Sequence, residues 1–183
     1  MTVPREPGAG KSALRERLLA GRRARSEGAR NAASAAIAVV LLQRLATIRA
    51  FAAYVPEETE PGYGRLPAAY TQLGARVLLP VVPPAGSELA WAVDTGRLAP
   101  GRFGLLEPVG PRLGPTAIGT ADVIVVPALA VARDGVPQRP DAVVVALVFD
   151  DELLDALPSE PHDHRVHAVV TPSGGWQALP ESH

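Results

Sequence analysis

Residues 6–15 read EPGAGKSALR, a glycine-containing lead into Gly-Lys-Ser. A phosphate-cradling loop needs a glycine, four residues and then Gly-Lys-Ser/Thr, with a strand leading in and a helix leading out. Arg5 stands where the first glycine belongs, and only a short segment with two prolines precedes Gly10. Both requirements fail, so a backbone cradle is not the reading of this stretch. Lys11 and Arg15 keep a chemistry of their own. Spaced i, i+4, they project from one face of a helix, where two cations can hold a phosphate by charge alone.

Three other stretches carry reactive side chains. HDHRVH (162–167) holds three of the four histidines. In an extended segment His162 and His164 share a face, so a three-histidine zinc site stands beside the plainer reading of a polar loop entering a strand. Asp163 within it suits a hard cation such as Mg²⁺, which prefers carboxylates and keeps several waters. YVPEETE (54–60) puts three carboxylates after a proline at the end of a strand, where open α/β sheets place their ligands. On the residues alone a solvated acidic loop is the favoured reading there. DDELLDALPSEPHD (150–163) has six acidic residues and reads as a helix start and solvated surface. Neither a Ser-His-Asp arrangement nor a dinucleotide fingerprint is present.

Composition narrows the classes. With no cysteine, thiolate metal sites, disulfides and cysteine nucleophiles are excluded. A net charge of −1 gives no overall pull toward nucleic acid or membrane, and 4% aromatics leave little to stack on bases. The longest uncharged stretch, AASAAIAVVLLQ (32–43), is too short to span a bilayer. The Arg- and Ala-rich first 30 residues fit alternating charge on a surface helix better than a targeting segment. A cytoplasmic location, without membrane or nucleic-acid partners, is the expectation.

The elements that must position these groups follow from periodicity. At 183 residues, 47% hydrophobic and 20% charged, the chain suits one globular domain. Residues 1–10 read as a loose tail and 11–183 as a single domain. Helices are expected over about 11–27 and 31–47, the second capped by Asn31, and over 62–73, ended by Gly74. Strands are expected at 48–55, 75–82, 88–93 and 166–171. The near-continuous apolar runs ADVIVVPAL (121–129) and DAVVVALVF (141–149) read as central parallel strands. A short helix is expected over 150–157. The stretch 95–120 has little periodicity and reads as a long loop. Alternating strands and helices give an α/β class, with a mostly parallel sheet covered on both faces.

Taken in order, KSALRERLLAGRRA, AAYVPEETE, RVLLPVV, LAPGRFGLLEP, ADVIVVPALA and VFDDELLDALPSEPHDHRVHAVVT resemble the 5-formyltetrahydrofolate cyclo-ligase family, the methenyltetrahydrofolate synthetases. The pieces span nearly the whole chain. The resemblance implies a three-layer α/β/α sandwich, ATP and Mg²⁺ as cofactors, and a small-molecule folate as substrate. In that family ATP phosphorylates the formyl oxygen on folate N5, N10 attacks, and phosphate leaves as 5,10-methenyltetrahydrofolate forms. A formamide oxygen leaves poorly until it is phosphorylated, and cations must neutralise the charge that builds on the transferring group. Carried over by position, the resemblance implies nucleotide-phosphate contacts from Lys11 and Arg15. It implies folate contacts from Val55 and Glu60, and a magnesium ligand at Asp163.

One departure stands out. Family members follow their VPGLAFD-like segment with a glycine-rich run resembling RLGxGxGYYDR. Here VPALAVARDG (126–135) continues directly into VPQRPDAVVVALVFDD, with Ala128 in place of a glycine, Ala132 in place of an aspartate and His167 where an aspartate is usual. Glycine-rich loops bind phosphate through clustered N–H groups, and GVPQRP holds two prolines that lack that donor. Two readings follow: an ATP- and Mg²⁺-dependent cyclo-ligase impaired by the missing run, or a catalytically inactive relative that binds folate or another ligand or serves a structural role.

Overall fold

A computed structural model of the chain describes residues 7–83, 88–133, 142–157 and 166–180. Helix α1 spans Pro7–Ala24 and α2 spans Glu27–Arg44. The second starts earlier than the Asn31 cap expected from sequence. Ser26 is the cap instead, its side chain accepting from the Ala29 N–H at 3.2 Å.

Five parallel strands form the centre of an eight-stranded sheet: β1 (Ala50–Ala52), β2 (Arg76–Val81), β7 (Val123–Pro127), β9 (Val143–Leu147) and β11 (Ala168–Thr171), in the order β11-β9-β7-β1-β2. The two long apolar runs are β7 and β9, and they lie in the interior as their composition requires. β3 (Ala90–Val93) pairs antiparallel with β2, and β6 (Arg112–Leu113) with β3. On the other edge β12 (Gly175–Ala178) pairs antiparallel with β11, a strand that the periodicity does not announce. Two small ladders stand apart: β4 (Leu98–Pro100) against β5 (Leu106–Pro108), and β8 (Val131–Ala132) against β10 (Leu153–Leu154).

Alternate side chains of each strand point to opposite faces, and both faces are covered. Phe51, Val77, Leu79, Val125, Val145, Leu147 and Val170 pack with Ile37 and Leu41 of α2, with Leu45 just after it and with Tyr70. Behind the sheet, Ala52, Leu78 and Trp91 meet a 3₁₀ helix over Pro115–Thr120, while Ala146, Val148 and Val169 meet Val131 and Leu153. The result is the three-layer α/β/α arrangement with a mostly parallel sheet. No described helix is long and apolar enough to cross a membrane.

Three local expectations need correction. The helix expected over 62–73 exists only as a 3₁₀ segment, Ala68–Leu73. Gly62 and Gly64 have φ of 93° and 73°, and Pro67 removes an N–H that a continuous helix would use. Gly74, at φ 63°, does end the segment. The helix expected over 150–157 is a single 3₁₀ turn, Asp150–Glu152, followed by β10. The stretch 95–120 is no plain loop, since it carries the β4–β5 hairpin, β6 and the Pro115–Thr120 helix. Glu107 of β5 fastens that hairpin to the end of β2, its buried carboxylate accepting from the Val82 N–H at 3.0 Å.

Candidate functional site

The chain leaves β1 toward β2 on one side, while β7 lies on the other side of β1 and leads away to β9. This is the topological switch point, and the crevice outside the carboxyl ends of such strands is where open α/β sheets bind ligands. Tyr54 and Val55 follow β1 there, and Ala128 follows β7.

The loop after β1 is folded on itself around Glu60. Its carboxylate accepts from the Glu57 N–H at 2.9 Å, while its own N–H donates to the Glu57 carbonyl at 2.8 Å. Two buried bonds fix the far side of the loop. Gly62 N–H donates to Ser34 Oγ of α2 at 3.1 Å, and the Tyr54 hydroxyl donates to the Pro61 carbonyl at 3.3 Å. Glu60 is half-buried. Burial pushes its pKa above the usual carboxylate value; the Glu57 N–H bond and the Arg22 charge pull the other way, and Glu57's charge adds to the rise. Burial also raises the Tyr54 phenol well above its ordinary value, with the Glu60 charge acting in the same sense.

Arg22, near the end of α1, is 4% exposed. Its Nε and one terminal nitrogen donate to the two oxygens of Glu152 at 2.7 and 2.9 Å. The same terminal nitrogen reaches the Ala128 carbonyl at 2.6 Å. Glu152 is 1% exposed and also accepts from the Phe149 N–H at 2.9 Å. Burial alone would lower the Arg22 pKa, but the hydrogen bond and charge of Glu152, with Glu60 and Tyr54 beyond, hold it above the usual value. Arg25 lies 4.1 Å over the Phe149 ring and pairs with Asp151. The acidic run after β9 is therefore not uniformly solvated surface. Glu152 points inward because a fork from α1 meets it.

Lys11, Arg15, Leu18 and Arg22 recur at i, i+4, i+7 and i+11, one stripe of α1. Leu18 and Arg22 are buried, Lys11 is half-buried and Arg15 exposed. Thus Glu60, Tyr54, Arg22 and Glu152 form one electrostatic group. Val55 sits beside it, half-buried and packed on the main core. Lys11 and Arg15 extend the same stripe away from that group, about 10 to 17 Å along the axis at 1.5 Å per residue. Asp163, His162 and His164 lie outside the described residues, as does the segment 134–141, where the family resemblance leads one to expect a glycine-rich run. Among the described residues no group of three His, Cys, Asp or Glu could hold a metal ion. His167 Nδ1 accepts the Val144 N–H at 3.0 Å, extending the ladder between β9 and β11.

Sequence reasoning missed Arg22, Glu152 and Ser34. Only Arg22 had a signal, its place on the stripe of Lys11 and Arg15. An inward glutamate in an acidic run and a serine within a helix look like any others.

Comparisons with known proteins converge on one family. The model of the 5-formyltetrahydrofolate cyclo-ligase family matches residues 7–137. A curated 5-formyltetrahydrofolate cyclo-ligase of Mycolicibacterium smegmatis is 40% identical over 188 residues, covering 92% of this chain and 97% of the relative. The NMR structure of Aquifex aeolicus 5,10-methenyltetrahydrofolate synthetase superposes with a TM-score of 0.75 at 23% identity, covering 94% of each chain. A 5,10-methenyltetrahydrofolate synthetase from Mycoplasma pneumoniae gives 0.64 at 16% identity, over 87% of this chain and 96% of that one. The two structures establish the fold; the family match and the 40% identical relative establish that the chain belongs to the 5-formyltetrahydrofolate cyclo-ligase family.

Proposed function

We propose that the chain converts 5-formyltetrahydrofolate to 5,10-methenyltetrahydrofolate with ATP and Mg²⁺. Family membership is the observation that carries this reading, and the group at the switch point supports it. ATP would supply the phosphoryl group that lets the formyl oxygen leave, and Mg²⁺ would offset the charge on the phosphates. The rest is assigned to the chain's own side chains. Glu60 accepts hydrogen bonds from the pterin N–H groups, for which it must be ionised. Val55 lends an apolar wall beside it. Lys11 and Arg15 face the nucleotide phosphates from α1, a charge arrangement that fits an anion. Asp163 is the proposed magnesium ligand; the described residues add no carboxylate cluster to it.

A second reading has its own support. The alignment with the curated relative runs over 188 residues, more than the 183 of this chain, so the relative carries positions that this chain lacks. The glycine-rich run missing around 135–140 agrees with that difference. Without those N–H donors the chain would be a catalytically inactive relative that binds folate or another ligand, or a structural protein. A spectrophotometric assay for the methenyl product, run with ATP and Mg²⁺ beside calorimetric folate binding, separates the readings. Turnover supports the ligase. Folate binding with no turnover leaves the inactive relative.

A further inference from the structure

Helix α1 has little apolar surface with which to fix its place. Among its described side chains only Leu18 and Arg22 are buried. Leu18, with the half-buried Leu14 and Leu19, resists sliding along the helix axis and rotation about it only weakly. Arg22 resists both, because its three hydrogen bonds run to two different elements, the Ala128 carbonyl after β7 and both carboxylate oxygens of Glu152 after β9. A shift of one residue moves a helical side chain about 1.5 Å along and 100° around the axis, enough to break this fork. Glu152 is held in turn by the Phe149 N–H, and Arg25 grips the same turn through Phe149 and Asp151. A buried ion pair is often no more stabilising than a well-packed apolar pair of the same volume, whereas its geometry is far more exacting.

We propose that Arg22 and Glu152 are positioning residues of the cyclo-ligase site. The fork sets the register of α1, and with it the places of Lys11 and Arg15 on the nucleotide side, and it fixes the Arg22 charge where its field reaches Glu60 on the folate side. The inference rests on the cyclo-ligase reading.

The groups that face Glu60 are Arg22 from α1, Tyr54 from the end of β1 and Glu57 from its own turn; Glu152 lies behind Arg22. Arg22 is the one cation among these four. Its removal therefore leaves burial and Glu57 to raise the Glu60 carboxyl further.

Two variants separate the two roles. Arg22→Lys keeps the charge but loses the planar fork. Arg22→Met with Glu152→Met removes both charges at similar volume. Dissociation constants for ATP and 5-formyltetrahydrofolate are measured by calorimetry across pH, with thermal melting as the folding control. Arg22→Lys is expected to weaken ATP binding roughly ten-fold and to leave the acid limb of folate binding where it is in the parent. The double variant is expected to weaken ATP binding similarly and to move that acid limb to higher pH. A purely structural pair would lower the melting temperature with neither change. If both variants bind both ligands as the parent does at every pH, the inference falls and the cyclo-ligase reading stands. If the parent binds neither ligand, both fall.

Discussion

Ser34, buried on α2, accepts a hydrogen bond from the Gly62 N–H at 3.1 Å, tying the helix to the loop that carries Glu60. Gly62 is itself buried, so no solvent replaces the acceptor if the hydroxyl is lost. Ser34→Ala should cost about 1–3 kcal/mol and lower the melting temperature by roughly 2–4 °C for each. Under the proposed function its KM for folate should rise more than its KM for ATP, because the loop bears on the pterin side. Equal changes in both would detach the loop from folate recognition.

Glu60 should set the protein's stability against its ligand affinity. Its folded pKa lies above the unfolded value, chiefly through burial. The sign follows: the stability it contributes is complete below the ordinary carboxylate range and is lost as pH rises through the raised value. Glu60→Gln removes that loss while keeping an oxygen for the Glu57 N–H. Urea unfolding should therefore show the variant gaining on the parent between acidic and neutral pH, as folate affinity drops. A gap that does not change with pH would contradict the assignment.

Tyr70 offers the opposite case, a polar atom that the core would do better without. Its ring meets Phe51 edge-on at 5.0 Å and 81°, but its buried hydroxyl has no hydrogen-bond partner among the described residues. Tyr70→Phe should be neutral or stabilising, by up to about 1 kcal/mol. Tyr54→Phe should destabilise by about the same amount, since it gives up the bond to Pro61. Melting temperatures of the two variants, moving in opposite directions or one staying still, check the pair.

Gly101 is required for the carboxylate beside it, not for its own backbone. A Cβ there would stand 2.2 Å from Cδ of Glu107, whose carboxylate is occupied with Val82. Gly101→Ala should cost about 1–3 kcal/mol. In a Glu107→Ala background the same change should cost much less, and a double-mutant cycle measures the coupling. Strict additivity would count against the contact.

How far the sequence reveals this molecule depends on whether a residue's environment is set locally. The runs at 121–129 and 141–149 are legible because a strand covered on both faces must be apolar at every position, and they became β7 and β9. Gly74 is legible because helix ends favour a residue that accepts positive φ. The loop at 54–60 is legible as an acidic segment following a strand at the carboxyl end of the sheet, which is where it lies. Glu152 is not, since its neighbours Asp150 and Asp151 are exposed and only a guanidinium 130 residues away turns it inward. The capping of α2 was misread for a similar reason: Ser26 and Asn31 are both good caps, and the break after Ala24 decides between them. β12 is short and contains Gly175 and Gln177, so it becomes a strand through pairing with β11 and not through its own composition.

The same separation of 130 residues governs how the protein comes to be made. α1 leaves the ribosome 130 residues before the turn that holds it. Contacts so distant in sequence form late and slowly, and domains complete when their last elements arrive. Until that turn is made, Arg22 has no carboxylate to fork. Under the proposed register role, the helix-borne cations take their final places only once β9 and the turn after it have been added, and a chain stalled before residue 152 would hold its first strands with its first helix unregistered.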